Sequence, residues 1–234
     1  MIIKTPHSNV KEQTVQIIAN ETTHILEGNL SIPEGAEGIV VFAHGSGSSR
    51  FSPRNQFVAR GLRQGGLATL LLDLLTIEEE RVDMRTAQYR FDIVFLAGRV
   101  IGTTDWLLER PETRHLRIGY FGSSTGAAAA LIAAAQRPDV VAAVVSRGGR
   151  PDLAMADIGR VKAPTLLIVG GDDTPVIKFN EEAFARIRVE KKLEIIPGAN
   201  HLFQEPGALE KVVRLAHEWF QQHLTSAEEY QKAI

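Results

Sequence analysis

Apolar positions in this chain fall into two kinds of run. Ile39–Ala43, Leu67–Leu72 and Arg117–Phe121 are short and largely apolar, the pattern of buried strands, and Val140–Ser146, Ala163–Val169 and Leu193–Ile196 also read as strands. Between them, apolar residues recur every three or four positions. That spacing predicts helices over Asn55–Gly65, Thr86–Glu109, Asn180–Arg188 and Glu205–Leu224, and the Ala-rich composition of Gly126–Ala135 predicts another. Strand and helix therefore alternate after residue 38, which argues for a mostly parallel sheet with helices on both faces. Ahead of it, Thr14–Ala19 and His24–Ile32 read as an antiparallel hairpin joined by the polar residues 20–23. The acidic stretch Glu78–Asp83 reads as a solvated loop. No repeat, low-complexity segment or linker divides the chain, so residues 1–234 are expected to form one domain. Residues 225–234 make a tail in which Ser226 and Glu229 have the spacing of a capping box.

Composition narrows the class. A net charge of −2 gives no reason to expect nucleic acid or an anionic membrane as partner. No apolar run reaches spanning length and the first residues lack the apolar core of a signal peptide, so a cytoplasmic location is expected. The absence of cysteine excludes a thiolate nucleophile, disulfides and cysteine-ligated metals.

The chemistry concentrates where strands end, which is where such sheets bind ligands. Gly122-Ser-Ser-Thr-Gly126 turns the chain from strand to helix in five residues. A turn this abrupt strains its middle residue, Ser124, and presents the hydroxyl at the positive end of a helix. The competing reading is that Ser124 only caps the helix. A serine hydroxyl needs a base that titrates near neutrality. Of the seven histidines only His201 follows a late strand exit, whereas His44 is expected to brace its loop. A carboxylate must then orient the imidazole. Asp172 and Asp173 follow one strand exit, and Asp73 and Asp152 lie near others, so the residue pattern leaves the choice open. Finally, His44-Gly-Ser-Gly47 follows a buried strand with glycines that let backbone approach a ligand. The Ser46 and Thr125 N–H groups are expected to form an oxyanion hole.

These motifs together resemble an α/β-hydrolase of the dienelactone hydrolase-like group. The resemblance runs from about Ile39 to Phe220 and rests on His-Gly-Ser-Gly at 44–47, Gly-x-Ser-x-Gly at 122–126, Gly-Gly-x-Asp-x-x-Val at 170–176 and the late His201. It implies the α/β-hydrolase fold with a sheet of about eight strands, no cofactor and no metal. It also places the triad acid on Asp173. The chain departs from dienelactone hydrolases proper, whose nucleophile is cysteine, so an ester rather than their lactone is the expected substrate.

The segment between Ser146 and Ala163 is too short for a large helical cap, which predicts an open pocket. Arg50 and Arg54 follow the oxyanion loop and Arg147 and Arg150 follow the next strand exit. Arg50 and Arg147 are candidates for holding an anionic ester, against the plainer expectation that these guanidinium groups pair with neighbouring acids. The expected activity is hydrolysis of a small carboxylic ester or thioester through an acyl-enzyme. Cofactor-free perhydrolysis or acyl transfer would use the same triad, and a non-catalytic scaffold would be expected to have lost part of it. The pattern does not bear on oligomeric state.

Overall fold

The computed structural model describes residues 10–18 and 25–225. Strands β1 (Val10–Ile18) and β2 (Ile25–Pro33) pair antiparallel in register, Ile18 opposite Ile25. The residues predicted to join them lie outside the described residues, as does the capping-box spacing in the tail. The chain then runs β3 (Gly38–Ala43), α1 (Pro53–Gln64), β4 (Ala68–Leu72), α2 (Ile77–Thr86), α3 (Ile93–Glu109), β5 (Arg117–Ser123), α4 (Thr125–Gln136) and β6 (Val141–Arg147). Two short 3-10 turns lead to β7 (Thr165–Gly170), α5 (Thr174–Arg186), β8 (Lys191–Ile196) and α6 (Ala208–Leu224).

One eight-stranded sheet results, in the order β1-β2-β4-β3-β5-β6-β7-β8. Pairs β1–β2 and β2–β4 are antiparallel, and all others are parallel. Every residue of β3, β4 and β7 is buried, as their unbroken apolar runs require. Each face of the sheet carries its own core. Leu96, Val100 and Leu107 of α3 and most of α4 cover one face, while Val58 and Leu62 of α1 and Val212, Trp219 and Phe220 of α6 cover the other. The parallel order places the carboxyl ends of β3, β4, β5, β6, β7 and β8 along one edge, so six strand exits open on the same side.

Two expectations fail in one place. Residues 78–83 belong to helix α2, whereas the sequence suggested a solvated loop. The long helix expected from Thr86 begins only at Ile93. Thr76 and Glu79 cap α2 reciprocally, each side chain bonding the other's backbone N–H. Ala87 ends α2 in the left-handed conformation, and Asp92 caps α3 by accepting from Phe95 N–H. Glu78 and Glu80 are exposed, but the other two acids are not. Glu79 pairs with Arg99 inside the protein, and buried Asp83 accepts from the N–H groups of Tyr89 and Arg90 and from the Arg90 guanidinium. Burial alone would raise the Asp83 pKa; those three donors outweigh it and leave it below the ordinary value. Helix α5 starts earlier than expected and α6 later, while only 3-10 turns separate β6 from β7, so no large cap inserts there. Among the described residues no helix is long and apolar enough to cross a membrane.

Candidate active site

Ser124 sits between β5 and α4 with φ 51° and ψ −122°, a conformation few side-chain-bearing residues adopt. The strain follows from packing. A Cβ at position 122 would lie 2.3 Å from the Ala127 Cα, and one at position 126 would lie 2.3 Å from the carbonyl oxygens of Ala43 and His44. Glycine at both positions is what lets α4 leave the strand so sharply and press against the end of β3. The capping reading of Ser124 fails, because its side chain makes no cap hydrogen bond to the helix.

His201 stands on the loop after β8. Asn200 shapes that loop, its side chain accepting from Leu202 N–H and its carbonyl from Phe203 N–H. The imidazole Nδ1 lies 2.6 Å from Asp173 Oδ2, a short, charge-assisted contact. Asp173 occupies the cap position of α5 yet makes no side-chain cap bond, which leaves its carboxylate to the histidine. Its neighbour Asp172 is exposed and tied only through its backbone N–H to the Ala199 carbonyl. Asp73 and Asp152 are paired with Arg50 and Arg150. The geometry thus separates four candidate carboxylates and joins one of them to His201.

The other strand exits close around this pair. A Cβ at Gly45 would lie 3.0 Å from Ser124 Cβ, so the loop after β3 touches the elbow directly. A Cβ at Gly148, after β6, would lie 3.5 Å from His201 Nδ1, and the preceding Arg147 carbonyl accepts from Ser124 N–H. Ser124 and His201 therefore flank the same glycine. No hydrogen bond joins the Ser124 hydroxyl to the imidazole, a bond that commonly tightens only with substrate in place. His44 braces the loop, its Nδ1–H donating to the Gly45 carbonyl and its Nε2 accepting from Leu74 N–H. Burial pushes its pKa down, which favours the neutral ring those two bonds need.

The loop after β3 carries a contact the sequence did not suggest, and it occupies the Ser46 N–H expected to face an oxyanion. Ser46 N–H donates to Thr125 Oγ1 at 3.0 Å, and the two hydroxyls are 2.9 Å apart. The Thr125 N–H belongs to the first turn of α4, where amides have no helical carbonyl to bond. Beside this bridge opens a cavity of about 220 Å³, walled by Ser46, Thr125, Leu74, Met84 and Leu96. It adjoins the elbow without being lined by Ser124, Asp173 or His201. Met84 comes from α2, the helix missed in the sequence, so α2 forms an outer wall.

The two arginines singled out for substrate have different fates. Arg50 does not face the site as a free cation. It is held by Asp73 and Glu27, and its backbone N–H also donates to Asp73. Glu27 lies on β2, a partner that neighbouring sequence could not reveal. Arg147 is 6% exposed and has no carboxylate partner, and burial, with Arg54 nearby, pushes its pKa down to about 10.

A mostly parallel eight-stranded sheet, with a strained serine after its central strand and an aspartate–histidine pair after later ones, defines an α/β-hydrolase. The chain belongs to the dienelactone hydrolase family, which matches residues 26–227. It is similar to a dienelactone hydrolase from Anabaena variabilis, with 60% identity and a TM-score of 0.90 over 92% of this chain and 99% of that one. Est1E from Butyrivibrio proteoclasticus shares the fold at 15% identity, with a TM-score of 0.74 over 89% of this chain and 98% of its own. A Mycobacterium tuberculosis protein provisionally named a phosphoribosyl transferase is 54% identical over 215 residues, 92% of this chain. The match takes in 47% of that relative, so this chain spans about half its length.

Proposed function

We propose that this chain is a serine hydrolase that cleaves a small carboxylic ester or thioester through an acyl-enzyme. Ser124 Oγ attacks the carbonyl carbon while His201 Nε2 takes its proton. Asp173 holds the imidazole by Nδ1 and stabilises the cation that forms. The oxyanion develops against the N–H groups of Thr125 and Ser46, the latter giving up its bond to Thr125 Oγ1 to donate to it. Collapse expels the alcohol or thiol, which leaves with the proton from His201. Water then repeats the sequence on the acyl group and regenerates Ser124.

The observation that carries this reading is the 2.6 Å contact between Asp173 and His201, made by an aspartate that declines its helix cap. The strained, uncapped Ser124 adds to it. The cavity beside Thr125, small and partly apolar, suits a short acyl or alkoxy group. The phosphoribosyl name belongs to a relative of which the match takes in 47%, and carries no argument for this chain.

Short-chain 4-nitrophenyl esters test the reading with wild type and Ser124→Ala. Turnover by the first and loss of it in the second is expected. A folded wild type that neither turns over esters nor accepts a fluorophosphonate on Ser124 would remove it.

A further inference from the structure

Two costly features of this protein touch each other beside the triad. The first is Arg147, at the end of β6. Arg50, Arg90 and Arg150 each pair with an acid, but Arg147 has no carboxylate within ion-pair distance among the described residues. Its guanidinium is buried and its Nε lacks an acceptor. The side chain makes one long hydrogen bond, from Nη2 to Asn55 Oδ1 at 3.4 Å, in the first turn of α1. That turn is the positive end of a helix, a poor place for a cation. An arginine does not shed its proton near neutrality, and a buried charge without a counterion is destabilising.

The second is Phe203, two residues after His201. Its φ of 55° lies in the left-handed region, which a bulky side chain avoids. Its N–H closes a turn on the Asn200 carbonyl at 3.2 Å, and His201 lies inside that turn. Such a conformation persists only where the surroundings over-determine it. The Phe203 ring is buried, and the Arg147 guanidinium lies over it, 5.7 Å from the ring centroid. A guanidinium can offer its flat face to a ring and its edge to an acceptor at once, which an ammonium or an aliphatic side chain cannot. Here the face meets Phe203 and the edge meets Asn55.

This contact joins the parts of the site that must keep register. Asn55 Oδ1 also accepts from the hydroxyl of Ser123, the residue before the nucleophile, at 3.1 Å. The Arg147 carbonyl accepts from Ser124 N–H at 3.3 Å. The next residue, Gly148, is pressed against the histidine turn: a Cβ there would lie 3.2 Å from the His201 carbonyl oxygen and 3.4 Å from the Phe203 ring. One residue thus reaches the elbow through its backbone and through Asn55, and the histidine turn through Phe203 and its neighbour Gly148. Costs of this kind, borne at one point between two catalytic loops, mark a functional constraint rather than a device for stability.

We propose that Arg147 is a positioning residue that fixes the His201 turn relative to Ser124, through Phe203 on one side and Asn55 and Ser123 on the other. Its effect on turnover rests on the hydrolase reading; its effect on the histidine turn does not.

Arg147→Met tests this with three readouts. Its Tm should be no lower than that of wild type, because an unpaired buried charge is removed. With a short-chain 4-nitrophenyl ester, kcat should fall by about 10- to 100-fold and KM stay within about twofold, the signature of misaligned reacting groups. Deuterium exchange followed by mass spectrometry should speed up in peptides spanning residues 199–204 and stay unchanged in those from α4. Asn55 reads the same link without altering Arg147. Asn55→Leu should lower kcat in the same way, and Asn55→Asp, which keeps the acceptor and supplies a counterion, should restore kcat to within about threefold and raise Tm. Wild-type kcat and exchange in Arg147→Met overturn the proposal, since the residue would be idle. So does a loss of kcat with a Tm well below wild type, since the residue would be merely structural. An Asn55→Asp protein as impaired as Asn55→Leu also overturns it, because the net charge of Arg147 rather than its placement would then matter. A wild type that hydrolyses no ester, with a histidine turn that still loosens in Arg147→Met, would sink the hydrolase reading and leave the positioning role standing.

Discussion

Ser46 N–H donates to Thr125 Oγ1 across 3.0 Å, joining the loop after β3 to the first residue of α4. The hydroxyls add a second link at 2.9 Å, and Ser46 Oγ reaches the Arg90 carbonyl. One side chain of the elbow thus holds the glycine-rich loop that approaches Ser124. The bridge fixes the position of that loop but occupies the Ser46 N–H, which must release the Thr125 hydroxyl before it can donate to the oxyanion of the proposed reaction.

Thr125→Val keeps the shape of the side chain and removes both links. The expected result is a fall in kcat of roughly tenfold with little change in KM, because the loop that carries the proposed donor loses its tether. Thr125→Ser should recover most of it. A rise in kcat for Thr125→Val would mean that the hydroxyl competes with the oxyanion for Ser46 N–H, and the positioning role would fall.

The two aspartates after β7 should separate cleanly. Asp173→Asn is expected to lower kcat by about 10²- to 10⁴-fold, since the amide cannot hold the histidine tautomer or balance its charge. Asp172→Asn, at an exposed side chain, should leave kcat within about twofold. Steady-state kinetics on one ester decides between them, and the reverse pattern would reassign the acid.

Acid should loosen the α2–α3 connection through Asp83. Its folded pKa is depressed, so the carboxylate contributes stability fully above its unfolded value of about 3.9. That contribution is lost as pH falls through the lower, folded value. Wild type should therefore exceed Asp83→Asn in urea midpoint at pH 6, with the gap narrowing as pH drops below the ordinary carboxylate range. A gap that stays constant down to that range would mean that the three donors to Asp83 do not depend on its charge.

These residues also show what could and could not be read from the chain. The β3 exit, the elbow and His201 are local signals: an apolar run, then glycines or a histidine, within a few positions. Choosing Asp173 over Asp172 required either family resemblance or the 2.6 Å contact, because both aspartates fit a turn equally well. Helix α2 is hard to read from the chain because two of its acids, Glu79 and Asp83, face inward. Glu79 meets Arg99 and Asp83 meets Arg90, so a run that looks solvated in sequence is half buried in the fold. That Arg50 pairs with acids is the plainer expectation from the sequence, but its partner Glu27 lies 23 residues away on an antiparallel strand and is not legible there. Ion pairing is a tertiary property, and charge spacing along the chain does not report it.

The central claim is that Ser124 is a nucleophile served by His201. Fluorophosphonate labelling followed by peptide mass analysis tests it most directly, on wild type, His201→Ala and Ser124→Ala. The account predicts one covalent adduct on Ser124 in wild type, a rate of labelling lower by about 10²-fold or more in His201→Ala, and no adduct in Ser124→Ala. Labelling at another residue, or equal rates in wild type and His201→Ala, would contradict it.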